Sequence, residues 1–153
     1  MSWHDSTGDF TKSKQLILDI FVHLCGLPSA ASDLVRNHGL LFWLAKIRPN
    51  RQIVAILNRV SALKWSQWWL HEILYLILAL VKEEKKTEEN EGFLDETANE
   101  TRIQMYQVLK DVLVKIESPR VVKSVSDQIW HPAVSLSNAQ VDRILVEILL
   151  LNK

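Results

Sequence analysis

Apolar residues recur along most of this chain at the spacing of α-helices rather than of β-strands. Between residues 14 and 25 they leave only one narrow polar stripe, formed by Gln15, Asp19 and His23. A helix that is apolar nearly all round is normally buried, so we expect this first helix to be buried on most sides. No segment alternates apolar and polar residues with a period of two. The pattern predicts seven or eight helices, no sheet and an all-α fold.

Two of these helices are predicted to meet at an elbow on Gly39. The residue before it, His38, continues the helical spacing of the preceding segment, and residues 40–44 are all apolar. A glycine just past the last helical turn can adopt the left-handed conformation that ends a helix. We therefore expect His38 to form the last turn of one helix and Gly39 to turn the chain. Phe42 and Trp43 should then enter the helical stack.

Turn and capping residues set the other predicted boundaries. The expected N-caps are Ser29, Asn50 and Ser66, and capping boxes occur at residues 97–100 and 137–140. The helix from Gln67 to about Lys82 has almost no polar face, which places it in the middle of a bundle or stack. Pro119 and residues 130–132 bracket a less regular stretch, in which we expect one short helix over residues 120–127.

Consecutive helices of this kind, joined by short turns, are typical of an α-solenoid of armadillo or HEAT type rather than of a four-helix bundle. One such repeat takes about 40 to 47 residues, which the short helix, the elbow and the helices after it roughly fill. With 153 residues, the chain suits one compact domain, although part of a longer repeat array would look the same.

Charge is unevenly distributed, even though 18 Lys and Arg balance 18 Asp and Glu. Residues 1–82 carry nine basic and five acidic side chains, whereas residues 83–100 carry two and eight. Strong charge and few apolar residues predict a solvated, flexible loop. The domain organisation that we predict is a loosely ordered N-terminus (1–10), a helical repeat block (11–82), an acidic loop (83–96) and a second block that completes the domain (97–153).

The residue types needed for catalysis or metal binding do not occur at useful spacing. Five histidines are scattered, and the residue four positions after His71 is Tyr75 rather than a second histidine. Cys25 lies within an apolar helix, where a thiol is typically inert, and the glycine patterns of nucleotide-binding loops are absent from the sequence. We therefore expect no enzyme activity, cofactor, metal or small-molecule substrate.

Compartment and membrane signals are equally sparse. Cys25 is the only cysteine, so no intramolecular disulfide can form, which favours an intracellular protein. The first residues lack a basic region followed by an apolar one, so we expect no secretory signal. The longest apolar run, Trp68 to Val81, is shorter than the roughly 20 residues that cross a bilayer. We expect no membrane association.

Tryptophans and basic residues cluster near the middle of the sequence and suggest a binding surface. Aromatic rings can stack on unpaired bases while cations hold phosphates, which would fit contact with RNA. Alternatively, the tryptophans fill a seam between helices and the cations are solvated, and solenoids commonly bind proteins along such a face. The candidate partner-binding residues are Arg48, Arg51, Arg59, Trp65 and Trp68.

The stretch from Leu16 to Ile47 resembles the C-terminal region of the nucleolar pre-ribosomal-associated protein family. The resemblance is carried by Leu-Ile-Leu-Asp-Ile-Phe from Leu16, by Ala30-Ala31, and above all by His-Gly-Leu-Leu-Phe-Trp-Leu from His38 to Leu44. Members of that family are very long helical-repeat scaffolds, so this chain would be a fragment, a short isoform or a stand-alone relative.

The resemblance implies a non-enzymatic scaffold in the nucleus and nucleolus that takes part in ribosome biogenesis, in the assembly of large-subunit precursors and processing of their rRNA. Ribosome assembly factors would be its protein partners, with direct contact to pre-ribosomal RNA as a further expectation. The family supplies no catalytic residues to carry over. The alternative is a general armadillo-like adaptor that binds a peptide or a partner helix in the cytoplasm.

Overall fold

The computed structural model describes residues 7–47, 50–91, 96–134 and 139–151. Within these residues the chain forms eight helices and no strand, which confirms the predicted all-α class. The helices are α1 (Thr7–Leu24), α2 (Pro28–Asn37), α3 (Leu40–Leu44), α4 (Arg51–Ser61), α5 (Gln67–Glu91), α6 (Glu96–Lys115), α7 (Pro119–Val134) and α8 (Ala139–Leu150).

The helices pack in two rows. In the first row α1 contacts α4, α4 contacts α6, and α6 contacts α8. In the second row α2 contacts α3, α3 contacts α5, and α5 contacts α7. Contacts of α2 with α4, α5 with α6, and α7 with α8 join the two rows. The inner helices α4 and α6 therefore have a first-row neighbour on each side, whereas α1 and α8 lie at the two ends.

The core lies between the rows, and α4 illustrates how the sequence builds it. Ile53, Ile56, Leu57 and Val60 recur at helical spacing and are almost completely buried. Burying one such side chain stabilises a fold by about 1.5 to 3 kcal/mol. Asn50 fixes where α4 begins, since its side-chain oxygen accepts a hydrogen bond from the Ile53 N–H at 2.9 Å. The predicted cap at Asn50 is confirmed.

The elbow at Gly39 has the conformation that the sequence predicted. Gly39 lies in the left-handed region, with φ 64° and ψ 31°. His38 ends α2, and its main-chain N–H donates to the Leu34 carbonyl oxygen at 3.2 Å. Because α3 starts directly after the glycine, Leu40 and Leu44 are buried in the core. The elbow thus joins α2 to α3 within the second row.

The central helix α5 is buried along its apolar half, as predicted, but it is longer than expected. Leu70, Ile73, Leu74 and Ile77 are all buried. The helix continues to Glu91, so the expectation of a loop starting at residue 83 was wrong. Residues 83–91 are mostly Glu and Lys, which are good helix formers, so a strongly charged composition does not exclude a helix. Residues 92–95 of the predicted loop lie outside the described residues.

Other helix boundaries also differ from the prediction. α1 begins at Thr7, about four residues earlier than expected. α2 begins at Pro28 rather than after a Ser29 cap, because proline suits the first helical position, where its missing N–H is not needed. α7 spans Pro119–Val134 without the predicted break at residues 130–132, and the helix ends two residues after Pro132.

The three remaining predicted caps have different outcomes. Ser66 precedes α5, and its side-chain oxygen accepts from the Trp69 N–H at 3.4 Å. α6 begins at Glu96, so Thr97, the first residue of the predicted capping box, lies within the helix. The second box, at residues 137–140, starts outside the described residues. Local spacing therefore located these helices to within a residue or so but did not always identify the cap.

The expectation that α1 is buried on most sides was wrong. Leu18 and Cys25 are buried against the rest of the first row, but Leu16 is 63% and Ile20 56% exposed. The reason is position: α1 is the end of the first row, where α4 is its one neighbour among the described helices. Phe42 also differs from the prediction, since it is 70% exposed on α3 instead of entering the stack.

Candidate partner-binding surface

Three tryptophans meet where α4 ends and α5 begins. The Trp68 and Trp69 rings pack edge to face with centroids 4.7 Å apart, and the Trp65 and Trp69 centroids are 6.0 Å apart. Trp65 and Trp69 are half-buried, whereas Trp68 is 60% exposed. Two of the rings therefore pack against the core and the third faces solvent.

Trp65 is held in place by two contacts. Its indole Nε1–H donates to the Val60 carbonyl oxygen at 2.8 Å, an oxygen at the end of α4 that also accepts from the Leu63 N–H at 3.2 Å. The Arg36 guanidinium lies over the Trp65 ring, 5.1 Å from the centroid. Arg36 also donates from Nε to the Ser32 side-chain oxygen at 3.0 Å. We refer to Arg36, Trp65, Trp68 and Trp69 as the aromatic surface.

The aromatic surface continues along the solvent side of α5. Glu72 and Tyr75 follow Trp68 by four and seven residues and therefore share its helical face. Both are exposed. The surface is thus chemically mixed, with a large apolar ring beside a carboxylate and a second aromatic ring one turn further on.

Arg59 does not belong to this surface, contrary to the prediction. Its Nη1 donates to the Val22 carbonyl oxygen of α1, and a Cβ placed on Gly26 would lie 3.2 Å from the same nitrogen. The guanidinium is therefore packed against the end of α1, where it holds α1 and α4 together. A charged donor placed on a free helix-end carbonyl is a stabilising contact, so the arginine has a structural role.

Arg51, another predicted cation, lies at the opposite end of α4 from the tryptophans. Arg51 is exposed at the start of α4, about 12 Å along the helix from Arg59 at 1.5 Å per residue. It borders a groove of about 570 Å³ between α1 and α4 that Gln15, Asp19 and Gln52 also line. Gln52 bridges this groove, since its Nε2 donates to the Gln15 carbonyl oxygen at 3.0 Å and to the Asp19 carboxylate. Arg48 lies outside the described residues.

The elbow residues make structural contacts of their own. The His38 ring nitrogen Nε2 lies 3.1 Å from the Asp33 carboxylate. Hydrogen bonds from Asn37 and then the nearby His38 lower the pKa of Asp33 below its ordinary value. Trp43 packs edge to face on Phe21 of α1, with centroids 5.1 Å apart. The elbow therefore fixes α3 against α1. In the described contacts, His38, Gly39 and Trp43 do not touch the aromatic surface.

Titratable groups offer little chemistry in the described part of the chain. Burial raises the pKa of the Cys25 thiol, although the nearby Arg59 opposes the shift, so the thiolate that acts as a nucleophile is disfavoured. Among the described residues, no three His, Cys, Asp or Glu side chains come together as a metal-binding group would require. The described helices also include none that is both long and apolar enough to cross a membrane.

Sequence reasoning identified the tryptophans but missed Arg36. The signal for Trp65 and Trp68 was local, because tryptophans close together at a helix start are visible in the sequence. Arg36 lies 29 residues earlier on another helix, and only the packing of α2 on α4 brings it to Trp65. No family model matches this chain, and no curated protein or solved structure matches it either.

Proposed function

We propose that this chain is a non-enzymatic helical scaffold that binds protein partners in the nucleolar assembly of the large ribosomal subunit. The observation that carries partner binding is the exposure of Trp68 on an ordered cluster of rings. Trp68 packs edge to face on Trp69, and an exposed tryptophan held in this way is the kind of residue that dominates protein interfaces. The nucleolar setting rests on the resemblance of His38–Leu44 to the pre-ribosomal-associated family.

The packing of the helices supports a solenoid of armadillo or HEAT type. In such proteins each helical layer contacts only its neighbours, which produces long faces for binding. The two rows of this chain follow that order, since α1, α4, α6 and α8 succeed one another in space as in sequence. The proposed role as a scaffold follows from the length of face that such an arrangement offers.

A protein partner fits the aromatic surface better than RNA does. Arg36 already lies over the Trp65 ring, and Glu72 places a carboxylate one turn from Trp68 on the same face. A carboxylate beside an exposed ring disfavours a phosphate backbone, whereas protein interfaces accept such mixed charge at the rim. We therefore propose protein binding ahead of contact with pre-ribosomal RNA. For RNA contact, the exposed cation nearest to Trp65 in sequence is Lys64.

Affinity purification from nucleolar extract tests the proposal. The tagged full chain should recover large-subunit assembly factors and precursor RNA, and Trp68→Ala should reduce that recovery at least tenfold. Val114→Ala is the matched control, because Val114 is equally exposed but lies on α6. Ribonuclease treatment separates the two modes of binding: assembly factors that remain bound indicate protein contact. Recovery of cytosolic proteins alone would overturn the nucleolar assignment.

The groove between α1 and α4 favours the alternative, a cytoplasmic adaptor for an extended peptide. Gln15, Asp19 and Arg51 line it and could hydrogen-bond a peptide main chain. This alternative predicts that Arg51→Ala weakens partner binding while Trp68→Ala does not. Imaging of the full-length protein would then show cytoplasmic rather than nucleolar signal.

A further inference from the structure

Trp68 presents an open ring face to solvent within the aromatic surface. Its ring packs edge to face on Trp69, and in such a pair at least one face of each ring stays clear of the other ring. Trp68 is 60% exposed, and among the described residues no cation lies over it. The face of an indole ring carries partial negative charge and attracts cations. Trp68 therefore offers a vacant position for a cation.

The same cluster of rings already holds one guanidinium. Arg36 lies over the Trp65 ring, 5.1 Å from its centroid, and its Nε donates to the Ser32 side-chain oxygen at 3.0 Å. This arginine thus has an indole ring on one side and an acceptor for its N–H. Arginine suits such a site because its guanidinium is planar and weakly hydrated and carries several N–H donors in one plane.

Glu72 supplies the corresponding acceptor beside Trp68. It follows Trp68 by four residues in α5, which makes the two side chains neighbours on one face of the helix. Within the part of the chain that the structure describes, Glu72 is exposed and makes no hydrogen bond or ion pair. A carboxylate can accept two parallel N–H groups from one guanidinium. The ring and the carboxylate together therefore match the chemistry of an arginine side chain.

We propose that Trp68 and Glu72 form a binding site for an arginine side chain of the protein partner. This inference rests on the proposed function, since it specifies the chemistry of the partner that the aromatic surface binds. The guanidinium packs on the open face of Trp68 and donates two N–H groups to the Glu72 carboxylate. Tyr75, three residues after Glu72 and 53% exposed, borders the site on its far side and adds a second ring.

The order of charges along this stretch directs a cation to Glu72. The exposed cations Lys64 and Arg36 lie on the Trp65 side of the cluster, one before Trp65 in sequence and the other over its ring. Glu72 lies on the other side of Trp68, about 6 Å further along α5 at 1.5 Å per residue. A bound guanidinium thus has a carboxylate as its adjacent charge, and salt screens the more distant exposed cations.

A lysine side chain fits the site less well than arginine. Its ammonium is a compact, strongly hydrated charge without the planar group that stacks on a ring while pairing with a carboxylate. An exposed cation–π contact strengthens binding by about two- to fivefold, and an exposed ion pair does so by a similar factor at most. The site therefore selects and orients a partner whose other contacts supply most of the affinity.

Titration of the ¹⁵N-labelled full chain with short capped peptides tests the proposal. The probes are Gly-Gly-Arg-Gly-Gly and its lysine and citrulline counterparts, each up to about 20 mM at constant ionic strength. Citrulline keeps the shape of arginine but carries no charge. The indole N–H signal of Trp68 is identified by its loss in Trp68→Phe. Its shift with the arginine peptide should be at least about twice that with either counterpart.

The same titration contains the results that would overturn the proposal. A Trp68 signal that does not move with the arginine peptide does so, because the ring then holds no guanidinium. A signal that moves equally with the arginine peptide and with either counterpart also does so, because the site then does not select arginine.

Two variants test the role of the carboxylate. Glu72→Gln removes the charge but keeps the size of the side chain, and it should reduce the Trp68 shift with the arginine peptide at least about twofold. Asp111→Asn is the matched control, because it removes an exposed carboxylate on α6, and it should leave the shift unchanged. An undiminished shift in Glu72→Gln, or equal losses in the two variants, overturns the proposal.

The arginine site and the proposed function fail by different results. In the purification from nucleolar extract, Trp68→Ala can lower the recovery of assembly factors while the arginine peptide leaves the Trp68 signal unmoved. That combination overturns the arginine site and supports the proposed function. Conversely, a full chain that binds the arginine peptide through Trp68 and Glu72 but recovers cytosolic proteins alone supports the site and overturns the nucleolar assignment.

Discussion

The guanidinium of Arg59 in α4 donates a hydrogen bond to the main-chain carbonyl oxygen of Val22 in α1. These residues are 37 positions apart, and the contact joins the ends of two helices that are neighbours in the first row. Arg59 is exposed but has no contact with the aromatic surface among the described interactions. The residue was predicted to bind a partner, yet its geometry is that of a connection within the fold.

Replacing Arg59 by Ala should therefore lower stability rather than binding. Loss of one charge-assisted hydrogen bond at an exposed site should decrease the free energy of unfolding by about 1 kcal/mol. Urea denaturation followed by circular dichroism measures this change. Arg51→Ala is the control, because Arg51 is exposed at the other end of α4, and it should change the free energy by less than about 0.5 kcal/mol. Equal stability of the Arg59 variant and the wild type would contradict a structural role for Arg59.

Gly39→Val should destabilise the domain by at least about 1 kcal/mol, because a β-branched residue is strained at a φ of 64°. Among the described residues, none apart from Gly39 and its two chain neighbours has an atom within 4 Å of the position that a Cβ would occupy, so the cost comes from the main chain and not from a clash. Gly39→Asn is the informative control, because asparagine tolerates the left-handed region. Its stability should decrease less than that of Gly39→Val. Thermal unfolding of the two variants measures the difference; equal losses would indicate a cause other than main-chain conformation.

Features that depend on a few adjacent residues were predictable. The Asn50 cap needs only a side-chain oxygen near a free N–H three residues later, and the turn at Gly39 needs only a residue without a Cβ. The boundary of α5 was not predictable from charge, because charged residues that predict solvation also form helices well.

Features that depend on packing between distant segments were not predictable. The apolar pattern of α1 indicates that nearly every side prefers burial, but it does not reveal that α1 lies at the end of a row with one side open. Likewise, nothing near Arg36 in sequence indicates the Trp65 ring, since the contact depends on how α2 packs on α4. The aromatic half of the candidate surface was thus visible in the sequence, and its cation was not.

Variants of Trp65 and Trp68 should have different effects, the first on stability and the second on partner binding. Trp65→Phe removes the indole donor to the Val60 carbonyl and should lower the free energy of unfolding by about 1 kcal/mol. Trp68→Ala removes an exposed ring and should change stability by less than about 0.5 kcal/mol while reducing partner recovery. Chemical denaturation of both variants checks the stability values. A Trp68→Ala chain that is as unstable as the Trp65 variant would show that Trp68 is mainly structural.

The Lys110–Glu147 contact between α6 and α8 should make stability depend on acid pH. Hydrogen bonding and charge from Lys110, with Arg143 Nε 3.6 Å away, lower the pKa of Glu147 below its ordinary 4.5. A carboxyl group whose pKa is lower in the folded state stabilises the fold above its unfolded pKa, and this contribution is lost as pH falls through the folded value. Below pH 4.5 the thermal midpoint of the wild type should therefore fall towards that of Glu147→Gln, and above it the two midpoints should differ by a constant amount. Asp33, whose pKa is also lowered, adds acid sensitivity to both proteins and cancels in the comparison. A difference between wild type and variant that stays the same from pH 6 to pH 3 would contradict this ionic contribution.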